Sequence, residues 1–223
     1  AWEAVWRYGS FRFPHATIGT LDLISRGKRE SSDILLSHWQ YFSEMRIAVF
    51  CSASNMIDPD FNRAAREFAR LMARDGHVVV SGGTVKGTMG VLAEELASCG
   101  GSHVGIIPRF MEPVLARGLS EVIWTDTMAE RKTLMREGAD AVVALPGGIG
   151  TLDEFIETMT LRKLERYMGE LYVLNVKGFY EPFRQLLDYY VSTGMLDAES
   201  RALVHFVPDA ETLAGLLGRK EKI

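Results

Sequence analysis

The chain has 223 residues, 47% of them hydrophobic, and a formal net charge of −4. That suits one globular domain with a sizeable core, and the mild acidity argues against a nucleic-acid partner, which would call for a basic patch. No apolar run approaches the roughly 20 residues of a membrane span, and the first residues lack the basic start and apolar core of a signal peptide.

Composition changes near residue 45. Three of the four tryptophans, Trp2, Trp6 and Trp39, fall in the first 44 residues, which show no strand–helix alternation. Residues 1–44 are set apart as an N-terminal extension of unassigned role, and Met45 opens a regular domain, 45–223. Arg46–Cys51 reads as an apolar strand. Asp60–Arg74 is an amphipathic helix carrying Phe61, Ala64, Ala65, Phe68, Leu71 and Met72 at helical spacing. His77–Val80 is a strand, followed by a glycine-rich loop and a helix to about Cys99. His103–Ile107 is a strand closed by Pro108. The strand Glu121–Trp124 precedes the helix Met128–Glu137. Then come the strand Ala141–Leu145 and helix Thr151–Arg166, the strand Leu171–Asn175 and helix Tyr180–Thr193. The strand Ala202–Val207 and helix Asp209–Leu217 finish the pattern. Such alternation requires right-handed crossovers and a mostly parallel sheet. The expected fold is a single doubly wound, Rossmann-like α/β domain with ligands at the carboxyl ends of its strands.

Cys51 and Cys99 read as free thiols of a reducing cytoplasm. No metal is expected: Cys-x-x-Cys and His-x-x-x-His are absent, and the five histidines are scattered.

Both glycine clusters fall at strand ends. After the apolar run Ala141–Leu145, Gly147, Gly148 and Gly150 remove side chains that would keep an anion from the backbone. Thr151 is expected to open a helix whose first N–H groups face the turn, which outlines a phosphate site. Thr151-x-x-Glu154 before an apolar run is also a capping box. The three glycines weigh toward phosphate, since a cap needs at most one. Two familiar fingerprints fail. Gly148-Ile-Gly150 lacks the third glycine of a dinucleotide site, and Lys86 precedes Gly87 rather than following it as a triphosphate loop requires. A single phosphate or a nucleoside monophosphate remains.

Pro146-Gly-Gly-Ile-Gly-Thr-Leu-Asp-Glu154 resembles the P-G-G-x-G-T-x-x-E motif of the LOG (Lonely Guy) family. Met128-Ala-Glu-Arg-Lys132 is similar to its M-x-E-R-K. Ala48–Ser54, Ser81-Gly-Gly83 with Gly87-x-Met-Gly90, and Val173–Tyr180 resemble further family segments, so the likeness spans about Met45 to Leu217. Ala129 departs from the family's frequent His, and Thr84-Val85-Lys86 makes the second glycine loop slightly longer.

The resemblance implies a phosphoribohydrolase that splits a purine nucleoside 5′-monophosphate, AMP or an N6-prenylated AMP, into base and ribose 5-phosphate. It implies Arg131 and Glu154 as the catalytic pair. Gly147, Gly148, Gly150, Thr151, Gly83, Lys132, Ser52 and Ser54 are the candidates for phosphate and ribose. Met128 is a weaker candidate for the base, and Gly90 reads as packing. No cofactor is implied, and a homodimer or larger homo-oligomer is expected. The alternatives are a broader nucleotide nucleosidase of salvage and a non-catalytic nucleotide- or molybdenum-cofactor-binding protein on the same fold. Lysine decarboxylation does not fit, because that chemistry uses a Schiff-base lysine and the phosphate turn carries none.

Overall fold

The structure, a computed structural model, describes residues 44–218. The expectations for residues 1–43 lie outside the described residues. In chain order the elements are β1 (Arg46–Phe50), α1 (Pro59–Arg74), β2 (Val78–Ser81), α2 (Gly87–Ser98), β3 (Ser102–Pro108), β4 (Glu121–Thr125), α3 (Met128–Arg136), β5 (Ala141–Ala144), α4 (Ile149–Lys163), β6 (Glu170–Leu174), α5 (Glu181–Ser192), α6 (Ala198–Ala202), β7 (Val204–Val207) and α7 (Ala210–Leu217). Short 3-10 turns cover Arg109–Val114 and Val176–Gly178.

The seven strands form one sheet in the order β4-β3-β2-β1-β5-β6-β7, and every pairing is parallel. The strands are apolar on both faces because both are covered. β1 shows how. Ile47, Val49 and Cys51 join one core with Phe68, Met72, Leu92 and Leu213 from α1, α2 and α7. Ala48 and Phe50 join the other with Met135, Phe155, Met159 and Phe183 from α3, α4 and α5. Each large side chain so buried contributes about 1.5–3 kcal/mol. The sheet is the middle of three layers.

The strand order reverses beside β1. The chain first steps outward from β1 to β4, then returns to place β5 on the other side of β1. Crossovers leave this pair in opposite directions, so a crevice opens at the carboxyl ends of β1 and β5, where doubly wound sheets bind ligands.

The expected doubly wound sheet is present, with shifts at several ends. α4 starts at Ile149, two residues before Thr151. Gly148 takes an extended N-cap conformation (φ −86°, ψ −161°), and its carbonyl accepts the first helical bond, from Leu152 N–H at 3.1 Å. The helix stops at Lys163 rather than Arg166, because Glu165 adopts a left-handed φ of 57°. Cys99 is the C-cap of α2 rather than part of it. The short helix α6 was not anticipated. Asp197 caps it, accepting from Ser200 N–H at 2.6 Å, and β7 accordingly begins at Val204 rather than Ala202.

Candidate active site

β1 and β5 end side by side: Phe50 pairs with Ala144, and Leu145 N–H donates to the Phe50 carbonyl at 2.9 Å. Beyond β5 the chain turns through Pro146, Gly147 and Gly148 into α4. The N-terminus of α4 differs from those of α1, α3, α6 and α7, which are capped by the side chains of Asp58, Thr127, Asp197 and Asp209. Gly148 gives α4 no side-chain cap. A Cβ built on Gly148 or Gly150 would meet nothing within 4 Å, so the ground beside the turn is open. Exposed N–H groups at the positive end of a helix, with room beside them, suit an anion.

Gly147 serves another purpose. Its Cβ would lie 2.2 Å from Thr151 Oγ1. Thr151 is the buried third residue of α4 and folds back onto Gly147. This corrects both expectations for Thr151: it neither opens the helix nor forms a capping box with Glu154. The box with that spacing lies at Thr127-x-x-Glu130. Thr127 Oγ1 accepts from Glu130 N–H at 3.1 Å, and Glu130 Oε2 reaches back to Asp126 N–H at 2.8 Å.

Freed from capping, Glu154 turns toward Arg131. Glu154 Oε1 lies 3.9 Å from Arg131 Nη1, with side-chain exposures of 13% and 6%. That distance makes an ion pair but no hydrogen bond, so the carboxylate keeps acceptor capacity and the guanidinium keeps donors. Arg131 Nε donates to the Ile106 carbonyl at 3.0 Å, while its Nη groups meet the sulfurs of Met128 and Met89, each at 4.0 Å. Burial raises the Glu154 carboxyl above its ordinary pKa, while Arg131 and then Lys132 oppose the rise. Burial also lowers the Arg131 guanidinium, against the pull of Glu154. Each charge is tolerated because the other is present; stripping one partner from such a buried pair typically costs about 3–5 kcal/mol.

Cys51, not a candidate from sequence, follows β1 directly and lies within electrostatic reach of both members of this pair. Burial pushes its thiol far above the usual range, Glu154 pushes it further, and Arg131 pulls it back. It is a neutral, buried and free thiol; Cys99 is also free, and exposed.

The second glycine loop contributes through close packing. A Cβ on Gly82 would fall 1.6 Å from Arg131 Nη2, so only glycine lets the guanidinium lie against this backbone. Gly83, expected to bind ligand, is required as glycine by its φ of +64° and by Gly105 Cα, 2.9 Å from where its Cβ would be. Gly90 is a packing residue as expected, with the Val85 carbonyl 2.3 Å from its Cβ position. The residues that lengthen the loop lean on the 3-10 turn: Thr84 bridges Leu115, and Val85 N–H donates to the Val114 carbonyl at 2.9 Å.

Other candidates are less central. Lys132 Nζ is held by Asp153 at 2.8 Å and Glu157 at 2.6 Å. These bonds raise its pKa and fix it as an ammonium, so its charge is spent on α4 carboxylates rather than offered to the glycine turn. Ser52 Oγ accepts from Ser54 N–H at 3.0 Å, and Ser54 Oγ accepts from Met56 N–H at 3.1 Å. These two hydroxyls cap successive turns after β1, and the buried Ser52 retains an O–H to donate. Met128 is 42% exposed, beside Arg131. Ala129 sits exposed in the first turn of α3. Against the glycine turn lies a groove of about 410 Å³ lined by Ile149, Leu152, Phe179, Pro182 and Leu186. A larger cavity of about 850 Å³ lies away from this chemistry, among residues that precede β1 and β5, such as Met45 and Asp140.

Residues 89–217, more than half of the chain, match the family described as "Possible lysine decarboxylase". The chain is 36% identical over 176 residues to a cytokinin riboside 5′-monophosphate phosphoribohydrolase of Arabidopsis thaliana, covering 77% of this chain and 82% of that protein. It is 34% identical over 170 residues to the cytokinin riboside 5′-monophosphate phosphoribohydrolase LOG of Oryza sativa subsp. japonica, covering 75% and 70%. Among solved structures, the molybdenum cofactor binding protein of Rippkaea orientalis superposes with a TM-score of 0.61 at 20% identity, over 78% of this chain and 96% of that one. At that identity the likeness shows the Rossmann-like fold alone. A buried Arg–Glu pair beside an uncapped glycine turn, together with these relatives, places the chain in the LOG family of phosphoribohydrolases, which are N-glycosyl hydrolases.

Proposed function

We propose that the protein hydrolyses the N-glycosidic bond of a purine nucleoside 5′-monophosphate, AMP or an N6-prenylated AMP, to free base and ribose 5-phosphate. The observation that carries this reading is the 3.9 Å approach of buried Arg131 and Glu154 at the carboxyl end of the sheet, beside the uncapped start of α4. The names of the Arabidopsis and Oryza relatives support the substrate class.

The phosphate sits on the first N–H groups of α4, where Gly148 and Gly150 leave room. Glu154, one turn further along, would repel a phosphate and so serves the sugar. The bond from C1′ to the base nitrogen breaks with its electron pair on the base, leaving positive charge on the ribose ring. The Glu154 carboxylate stabilises that charge and takes a proton from the water whose oxygen bonds C1′. That proton is the one the base nitrogen finally gains. Arg131 does not supply it, because a guanidinium holds its protons at neutral pH. Its planar donors instead orient the departing base or the phosphate. The step needs water alone, without metal or cofactor.

A homodimer or larger homo-oligomer and a cytoplasmic location belong to the same reading. The exposed apolar residues of the groove beside the turn, Ile149 at 84% and Leu186 at 42%, support a second copy. No helix among the described residues is long and apolar enough to cross a membrane.

The test is release of free base from a panel of N6-prenylated AMP, AMP, pyrimidine monophosphates and the unphosphorylated nucleosides. The reading predicts turnover of the purine monophosphates and loss of most of it without the phosphate. Equal rates on pyrimidines would favour a salvage nucleosidase, and no release from any monophosphate would end the enzymatic reading.

A further inference from the structure

Ser81 and His103 are both fully buried, yet neither belongs to the machinery described above. Ser81 is the last residue of β2 and His103 lies on the neighbouring β3. Ser81 Oγ lies 2.7 Å from His103 Nε2, and it also accepts from Gly83 N–H at 3.2 Å. His103 Nδ1 has no hydrogen-bond partner. Burial lowers the imidazole pKa to about 4, so the ring is neutral at pH 7.

Hydrogen-bond arithmetic fixes the direction of this chain. A neutral imidazole has one N–H. If it were on Nε2, the Ser81 hydroxyl would accept twice and leave its own proton buried and unpaired, with the Nδ1 lone pair unmatched as well. With the proton on Nδ1, Gly83 N–H donates to Ser81 Oγ and Ser81 O–H donates to Nε2. One Nδ1–H is then left over. No side chain or backbone group of the described residues accepts it.

What the chain holds is the turn at Gly82 and Gly83. Gly82 is the surface on which Arg131 rests: its absent Cβ would stand 1.6 Å from Nη2. The carbonyl that receives Arg131 Nε belongs to Ile106, three residues after His103 on the same strand. The hydroxyl therefore ties the carboxyl end of β2, where the Gly82–Gly83 turn begins, to the start of β3, the strand whose Ile106 carbonyl receives the guanidinium. Gly83 is fixed from its other side as well, its carbonyl accepting from Ala116 N–H at 2.8 Å.

We infer that the Ser81–His103 pair is a positioning device for Arg131, fixing the Gly82–Gly83 turn against the guanidinium and so setting the approach of Arg131 to Glu154. The consequence for turnover rests on the hydrolase reading above; the consequence for Arg131 itself does not. Ser81→Ala removes the link. Misplacement of a catalytic group by about 1 Å can cost about a hundredfold, so kcat should fall at least about tenfold while KM stays within about threefold. His103→Leu should match that loss, and His103→Gln, whose amide oxygen can accept from Ser81, should restore most of it. The Ser81→Ala, His103→Leu double variant should lose no more than either single one, as expected of one coupled unit. Thermal denaturation of each variant separates folding losses from turnover losses. The ¹⁵N resonance of Arg131 Nε should shift in Ser81→Ala, whether or not any substrate is turned over. An unmoved Nε resonance, losses that multiply in the double variant, or His103→Gln no better than His103→Leu would each overturn the inference. If wild-type protein releases no base while the Nε resonance still shifts, the hydrolase reading fails and the positioning one stands.

Discussion

The two glycine loops look alike in sequence and do opposite things. In the Gly82–Gly90 loop each glycine is a place where another group presses in: Arg131 on Gly82, the Gly105 backbone on Gly83, the Ser52–Ser54 backbone on Gly87 and the Val85 carbonyl on Gly90. In the turn after β5, Gly148 and Gly150 face nothing within 4 Å. The first loop spends its missing side chains on building the protein. In the second, Gly147 makes room for Thr151, while Gly148 and Gly150 leave open the ground that the proposed function gives to the phosphate. A glycine-rich stretch at a strand end is therefore not by itself a ligand cradle; what a Cβ would meet there decides.

The sharpest way to break this contrast is Gly82→Ala. The new methyl must displace the Arg131 guanidinium, and kcat/KM should fall by about a hundredfold or more. Retained activity would show that Arg131 does not need its observed seat. Next in size is Gly148→Ala. Its φ of −86° suits any residue, so thermal stability should hardly move, while KM for the monophosphate rises about tenfold, or about 1.4 kcal/mol. Gly83→Ala should do the reverse. Its positive φ and the Gly105 contact make it lose stability by more than about 1 kcal/mol, as read by denaturant unfolding. If Gly148→Ala and Gly83→Ala shift stability equally, the two loops are not different in kind.

Smaller still is the pH effect. Burial raises Glu154, so kcat/KM should fall on the acid side, with an apparent pKa above the ordinary carboxylate range. The sign follows from mechanism: below that pKa Glu154 is protonated and cannot take the water's proton. Lys132 counters the rise, so Lys132→Met should move the acid limb to higher pH and cost only a few-fold near neutrality. An unmoved limb would mean that the carboxylates of Asp153 and Glu157 already neutralise Lys132.

Much of the fold could be read in the residues, because strands covered on both faces appear as unbroken apolar runs such as Ala141–Leu145. Helix ends were harder, since Gly148 does by backbone conformation what Ser or Asp does visibly elsewhere. Thr151-x-x-Glu154 and Thr127-x-x-Glu130 have the same spacing, and only the second is a cap, because only there does the helix begin at the threonine. For the candidate site, the glycine turn was visible in the local pattern. The meeting of Arg131 and Glu154 was not, because 23 positions and a strand separate them; that pairing came through family resemblance. Gly82 and Cys51 carried no signal of chemistry, since one acts by lacking a side chain and the other is a buried, neutral thiol.

The central claim is that Glu154 acts on the sugar while the start of α4 holds the phosphate. Single-turnover cleavage of AMP or its N6-prenylated form by Glu154→Gln tests this most directly, alongside monophosphate binding measured by calorimetry. The account predicts a rate at least about a thousandfold lower, with binding of the monophosphate kept or slightly tightened as a repelling charge is removed. Full cleavage by Glu154→Gln would contradict it.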